Sequence, residues 1–113
     1  MQSWNLMKLE MPEGSRSPIV LHSTEDARAV LIGLNAGQEL GDHQVHENAY
    51  VLVVAGEVEV RSSGEEVAAG VGTLFRFDAN ERHRVSSREG ARILLLLAPW
   101  PGKGHYRGER SAG

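Results

Sequence analysis

The chain has 113 residues, enough for one domain that buries a core without covalent staples. It contains no cysteine, which excludes disulfides, thiolate metal ligands and cysteine nucleophiles and accords with a reducing cytoplasm. Formal net charge is −3, from 12 Lys+Arg against 15 Asp+Glu, and only six residues are aromatic, so neither phosphate-backbone binding nor base stacking is expected.

In chain order, "MKLEM" places Met7, Leu9 and Met11 at period two and predicts an edge strand within an N-terminal arm over residues 1–17. This start has neither a basic lead nor a continuous apolar segment, so it does not read as a signal peptide. Strands are then predicted at "PIVLH" (Pro18 to His22), "ARAVLIGLN" (Ala27 to Asn35) and "AYVLVVA" (Ala49 to Ala55). "EVEVRS" follows with strict alternation, Val58 and Val60 on one face and Glu57, Glu59 and Arg61 on the other. "EEVAA", "TLFRF" (Thr73 to Phe77), "HRVSS" (His83 to Ser87) and "ARILLLLA" (Ala91 to Ala98) complete the series. The last is the most apolar run, and it is too short to span a bilayer.

Turn-like segments such as "NAG", "SSGE", "AAGVG", "DANE" and "REG" separate these runs. Short strands at such spacing predict an all-β sandwich or barrel over residues 18–100. "PWPGKGHYRGERSAG", rich in proline and glycine, predicts an irregular C-terminal tail over 101–113.

Two segments carry the chemistry: "GQELGDHQVHENAYVLVVAGEVEV" from Gly37 and "GTLFRFDANERH" from Gly72 to His83. Together they resemble the two signature motifs of the cupin superfamily. The first motif holds an opening glycine, two histidines one residue apart, a glutamate and a closing glycine. Gly37, His43 and Gly56 match it, while Val45 stands at the second histidine position and Ala49 at the glutamate. The second motif runs from glycine through proline, glycine and histidine to asparagine. Gly72 and His83 match it, with Asp78, Asn80 and Ser87 at the remaining positions. Asn80 fits a glycine position that needs a left-handed backbone.

The resemblance implies an antiparallel jelly-roll β-barrel. It also implies that His43 and His83 belong to the site. In metal-binding cupins the first motif gives two histidines and a glutamate, and the second gives one histidine. Here strand parity offers Glu47 as the third donor if the strand through His43 is straight. A bulge between His43 and His46 would offer His46 instead. The ion in that case would be divalent Fe, Mn, Ni or Zn.

With the glutamate and second-histidine positions apolar, the leading expectation is a small-molecule-binding barrel with no obligatory metal. Its apolar pocket is lined by His43, Val45, Ala49, Val51, Val53, Phe75, Phe77 and His83. Either histidine could act as a general acid–base near neutrality. The alternatives are a metal-dependent dioxygenase or isomerase using His43 and His83 with His46 or Glu47, and a scaffold protein whose barrel is filled. The partners implied are a small-molecule ligand and a second copy of the chain, with Trp4 and Leu6 as contact material, and neither nucleic acid nor membrane.

Arg76, Arg82, Arg84 and Arg88 cluster in "RFDANERHRVSSR". If His83 faces inward, alternation turns Arg82 and Arg84 outward, so a solvated face is expected there. Trp100 is expected to cover a barrel end or to sit at a subunit contact.

Overall fold

The computed structural model describes residues 1–11, 18–43 and 45–101, with Asp42 and His43 described by backbone alone. Nine strands and no helix appear among these residues. In chain order they are β1 (Ile19–Ser23), β2 (Arg28–Leu34), β3 (Glu39–His43), β4 (Asn48–Gly56) and β5 (Val58–Ser62). β6 (Glu65–Ala69), β7 (Leu74–Phe77), β8 (His83–Ser86) and β9 (Ala91–Ala98) follow.

The strands form two antiparallel sheets, ordered β1-β2-β9-β4-β7 and β3-β8-β5-β6. Sequential strands mostly fall in different positions or different sheets, which is the jelly-roll arrangement expected from sequence. The two inner faces enclose one core. β4 supplies Ala49, Val51 and Val53, β9 supplies Ile93, Leu95 and Leu97, and β2 supplies Val30, Ile32 and Leu34. The facing sheet contributes Val58, Val60 and Val85. Each set is spaced by two because side chains on a strand alternate between faces.

The glycines of the two motifs have backbone reasons. Gly37, Gly56 and Gly72 all have positive φ. At Gly56 a Cβ would lie 2.2 Å from the Gly90 carbonyl oxygen and 2.9 Å from Ala91 Cα, so any side chain collides with backbone. Asn80, at φ 67°, takes the left-handed position that a glycine holds in the motif.

The edge strand expected over Met7–Met11 is not formed. Asn5 organises a turn instead: its Oδ1 accepts from Met7 N and Lys8 N, and its carbonyl accepts from Lys8 N and Leu9 N. Such a local side-chain acceptor competes with strand pairing. The arm then lies over the outer face of the five-stranded sheet. Arg92 Nη1 donates to the carbonyls of Leu6 (2.8 Å) and Met7 (3.1 Å). The Met11 sulfur lies 3.1 Å from where a Gly33 Cβ would stand. Leu31 points away from the core cluster, yet it is 0% exposed.

The remaining arm residues, 12–17, and the tail from 102 onward lie outside the described residues. Trp100 packs against the core, with the Arg28 guanidinium 4.5 Å over its ring.

Candidate functional site at the β3–β8–β5 end of the barrel

β8 lies between β3 and β5, and its register sets the site. His83 is the cross-strand partner of His43 on β3 and of Ser62 on β5. The two motif histidines, forty residues apart in sequence, are therefore neighbours across a sheet.

The straight strand from His43 to Ala49 is not present. β3 ends at His43 and β4 begins at Asn48, and the two belong to different sheets. The register irregularity lies between Leu40 and His43, ahead of the histidine rather than after it. Val45, His46 and Glu47 lie between the two sheets in chain order. His46 is exposed and Glu47 is 0% exposed. Of the two alternative third donors, Glu47 is buried and His46 exposed, and neither a straight strand nor a bulged one joins His43 to Asn48. The physical reason is that the sheet change resets side-chain facing, so parity counted through it has no meaning.

Of the expected pocket residues, Ala49, Val51, Val53, Phe77 and His83 are all buried. Val45 and Phe75 are partly buried and pack against the same core. The side chain of His43 lies outside the described residues. Ala49 pairs with Phe77 in the β4–β7 register, so the alanine at the motif's glutamate position has an aromatic ring beside it. Phe75 and Phe77 lie parallel, with centroids 6.4 Å apart.

His83 is the polar centre of this wall. It is 3% exposed and stacks on Phe77, with ring centroids 4.1 Å apart and planes within 9°. Its Nδ1 lies 3.2 Å from the Glu81 carbonyl oxygen. A carbonyl only accepts, so Nδ1 is the donor in this contact, and in a neutral ring Nε2 is then the lone-pair nitrogen. That nitrogen can accept a hydrogen bond, take a proton or ligate a metal.

The turn before His83 is held tightly. Glu81 N donates to the Asp78 carbonyl at 3.0 Å, and Asp78 N donates back to Glu81 Oε1 at 3.0 Å. Asn80 N donates to the Val45 carbonyl at 2.7 Å, tying the turn to the sheet-changing segment. Ser62 Oγ lies 2.6 Å from Glu81 Oε2 and 2.8 Å from the Arg82 carbonyl. The Ser62 hydroxyl and the Asp78 amide stabilise the ionised Glu81 carboxylate and hold its pKa below the ordinary value.

The arginines fall on the other face. Arg82 is exposed and Arg84 half-buried, both alternating with inward His83 and Val85. Arg76 also faces out, paired with Asp78 and lying 6.0 Å over the Tyr50 ring. The Asp78 carboxylate is the main cause of its raised pKa.

Metal donors are sparser. Among the described side chains no three of His, Asp or Glu are grouped to hold an ion. His83 and Glu47 supply two buried donors, fewer than the three that functional sites ordinarily use. The described donors alone do not fit a metal centre, and such a centre needs the His43 imidazole as well.

Two residues of this end escaped the sequence reading. Ser62 continues the inward parity of Val58 and Val60, which is the signal that could have found it. Glu81 is held by a turn contact that carries no sequence period. Ser87, at the motif's asparagine position, is also buried. Its hydroxyl donates to the Glu57 carbonyl (2.7 Å) and accepts from Gly90 N (2.9 Å).

A two-sheet jelly roll with its motif histidines paired at one end defines a class of small barrel proteins. The cupin-domain family profile matches residues 30–98, more than half of the chain, and the protein belongs to the cupin family. Solved structures agree on the fold. TT1209 from Thermus thermophilus is 26% identical with a TM-score of 0.77, over 88% of this chain and 98% of that one. An RmlC-like cupin protein from Desulfovibrio desulfuricans is 23% identical with a TM-score of 0.78, over 88% and 97%. An uncharacterised conserved protein with a double-stranded β-helix domain from Klebsiella pneumoniae is 20% identical with a TM-score of 0.74, over 88% and 90%. No curated protein matches the chain.

Proposed function

We propose that this cupin binds a small organic molecule at the β3–β8–β5 end of its barrel, without an obligatory metal. The observation that carries the reading is His83: a buried imidazole laid on Phe77, with its Nδ1–H on a backbone carbonyl. Such a group gives one oriented polar contact in an apolar wall of Val45, Ala49, Val51, Val53 and Phe75. That is the usual make-up of a small-molecule site. The favoured ligand has an apolar body and a polar group that meets the His83 imidazole. The cytoplasm is the compartment this reading expects.

The test is a small-molecule screen read by thermal shift and by NMR. A ligand of this kind raises Tm and perturbs the signals of Ala49, Val51, Phe77 and His83, and His83→Ala abolishes the response. Perturbations confined to other faces would sink the reading, and so would a screen without any ligand, which would favour the filled scaffold.

A second reading draws support from the complete burial of Glu47. With His43 and His83 it would make a 2-His-1-carboxylate set for a divalent ion, in a dioxygenase or isomerase. Bound there, the ion would supply Lewis acidity or oxygen chemistry. Glu47 would hold it, and His83 would be oriented through its Nδ1–H. Metal analysis of the purified protein, with Fe(II), Mn(II), Ni(II) and Zn(II) added after chelation, decides this. No rise in Tm with any of them would exclude it.

The proposal also includes a homodimer. Leu74 and Leu96, 59% and 38% exposed, are apolar side chains at the surface of the five-stranded sheet. Light scattering that returns a monomer mass would remove this part.

A further inference from the structure

The arrangement that delivers His83 is longer than the site itself. Ser62 ends β5, directly across from His83 on β8. Its hydroxyl meets Glu81 Oε2 at 2.6 Å. The other oxygen of that carboxylate accepts from Asp78 N at 3.0 Å, closing the Asp78–Glu81 turn on itself. The main-chain carbonyl of the same Glu81 then takes the His83 Nδ1–H at 3.2 Å. One residue therefore both locks the turn through its side chain and orients the imidazole through its backbone.

We propose that Ser62 and Glu81 are the positioning residues of His83. The Ser62 hydroxyl holds the Glu81 carboxylate, the carboxylate holds the turn, and the turn's carbonyl fixes the imidazole as the Nδ1–H tautomer. Neither residue needs to touch a ligand. Their effect is to keep Nε2 as the lone-pair nitrogen at the site, which is what an acceptor, a base or a metal ligand there requires. The relevance to binding rests on the reading of His83 as a site residue, but the tautomer itself does not.

The chemistry favours this chain of contacts over solvent-held alternatives. A carboxylate accepting from a hydroxyl and an amide makes charge-assisted hydrogen bonds, stronger than neutral ones. A carbonyl position set by such a turn leaves His83 one way to satisfy Nδ1 when the ring is buried against Phe77. Removing either side chain frees the turn, and the imidazole can then exchange tautomers or rotate.

The experiment is long-range nitrogen–proton NMR on histidine-labelled protein, at one pH high enough to keep the ring neutral. The wild-type protein is expected to show His83 with a protonated Nδ1 and a lone-pair Nε2. Ser62→Ala and Glu81→Gln are each expected to shift His83 toward a mixture with the Nε2–H form. Ser62→Thr, which keeps the hydroxyl, restores the wild-type pattern.

A wild-type His83 in the Nε2–H form would overturn the proposal. So would an unchanged Nδ1–H signal in both Ser62→Ala and Glu81→Gln, or loss of the folded spectrum in both, which would mark the contacts as structural only. Because the readout needs no ligand, a failed ligand screen with an intact tautomer response would count against the binding reading alone.

Discussion

The imidazole of His83 lies flat on the ring of Phe77, with centroids 4.1 Å apart and planes within 9° of parallel. The two residues sit on different sheets, β8 and β7, so this stack bridges the barrel. It fixes one face of the histidine while the Glu81 carbonyl fixes its Nδ1 edge.

Phe77→Ala should therefore act on both stability and the site. Phe77 is 4% exposed, and truncating such a core aromatic costs about 3–5 kcal/mol. Phe77→Leu keeps much of the volume and should cost less than Phe77→Ala, but it removes the ring face. Urea unfolding gives the first quantity. Loss of the upfield ring-current shift on the His83 protons gives the second, and unchanged proton shifts in Phe77→Leu would contradict the stack.

Gly56 should tolerate no side chain. Its φ of 76° costs an alanine roughly 1–2 kcal/mol, as for any left-handed residue. The 2.2 Å approach to the Gly90 oxygen adds a collision with backbone. Gly64 is the control, with φ 80° and nothing within 4 Å of its Cβ site. Gly56→Ala should melt well below Gly64→Ala in a thermal scan, and equal melting temperatures would refute the packing argument.

Ser87 should behave as an internal staple. Its backbone pairs with Gly37 and Gln38 while its hydroxyl joins Glu57 and Gly90, so one buried residue links three turns. Ser87→Ala leaves the Glu57 carbonyl and the Gly90 amide without that hydroxyl, at a cost of about 1–3 kcal/mol. Gly90 amide exchange with deuterium should quicken in parallel. A variant as stable as the wild type would show that water replaces the hydroxyl fully.

Acid stability should carry a Glu81 component. Its folded pKa lies below the unfolded carboxylate value of about 4.3, chiefly through the Ser62 hydroxyl. Above that unfolded value the stabilisation is fully present, and it is lost as pH falls through the folded value. Glu81→Gln should thus lower the urea midpoint at neutral pH and narrow its gap to the wild type in acid. A gap that stays constant with pH would mean that the carboxylate charge contributes nothing.

Much of the fold was legible in the chain. The alternation in "EVEVRS" marks a strand because one face of its sheet must be buried and the other not, and "ARILLLLA" reads as a strand because it is a short apolar run bounded by turn residues. Asn80 could be placed in a left-handed turn because few residues other than glycine and asparagine accept one. β3 was harder to delimit: "ELGDH" has no apolar alternation, and its end was hidden inside a run that looked continuous with β4. At Met7–Met11 a period of two misled, because Asn5 captures the amides of that segment before a neighbouring strand can.

The sequence by itself determined that this is a cysteine-free cupin barrel, that His43 and His83 are its motif histidines, and that Ala49, Val51, Val53 and Phe77 lie inside it. Only the tertiary structure decided that Glu47 is buried while His46 faces solvent. Facing depends on where the chain leaves one sheet for the other, which parity along a single strand cannot register. The same holds for Ser62, Glu81 and His83. Their meeting is made by the β5–β8 register and a turn, and those contacts exist only once distant strands have paired.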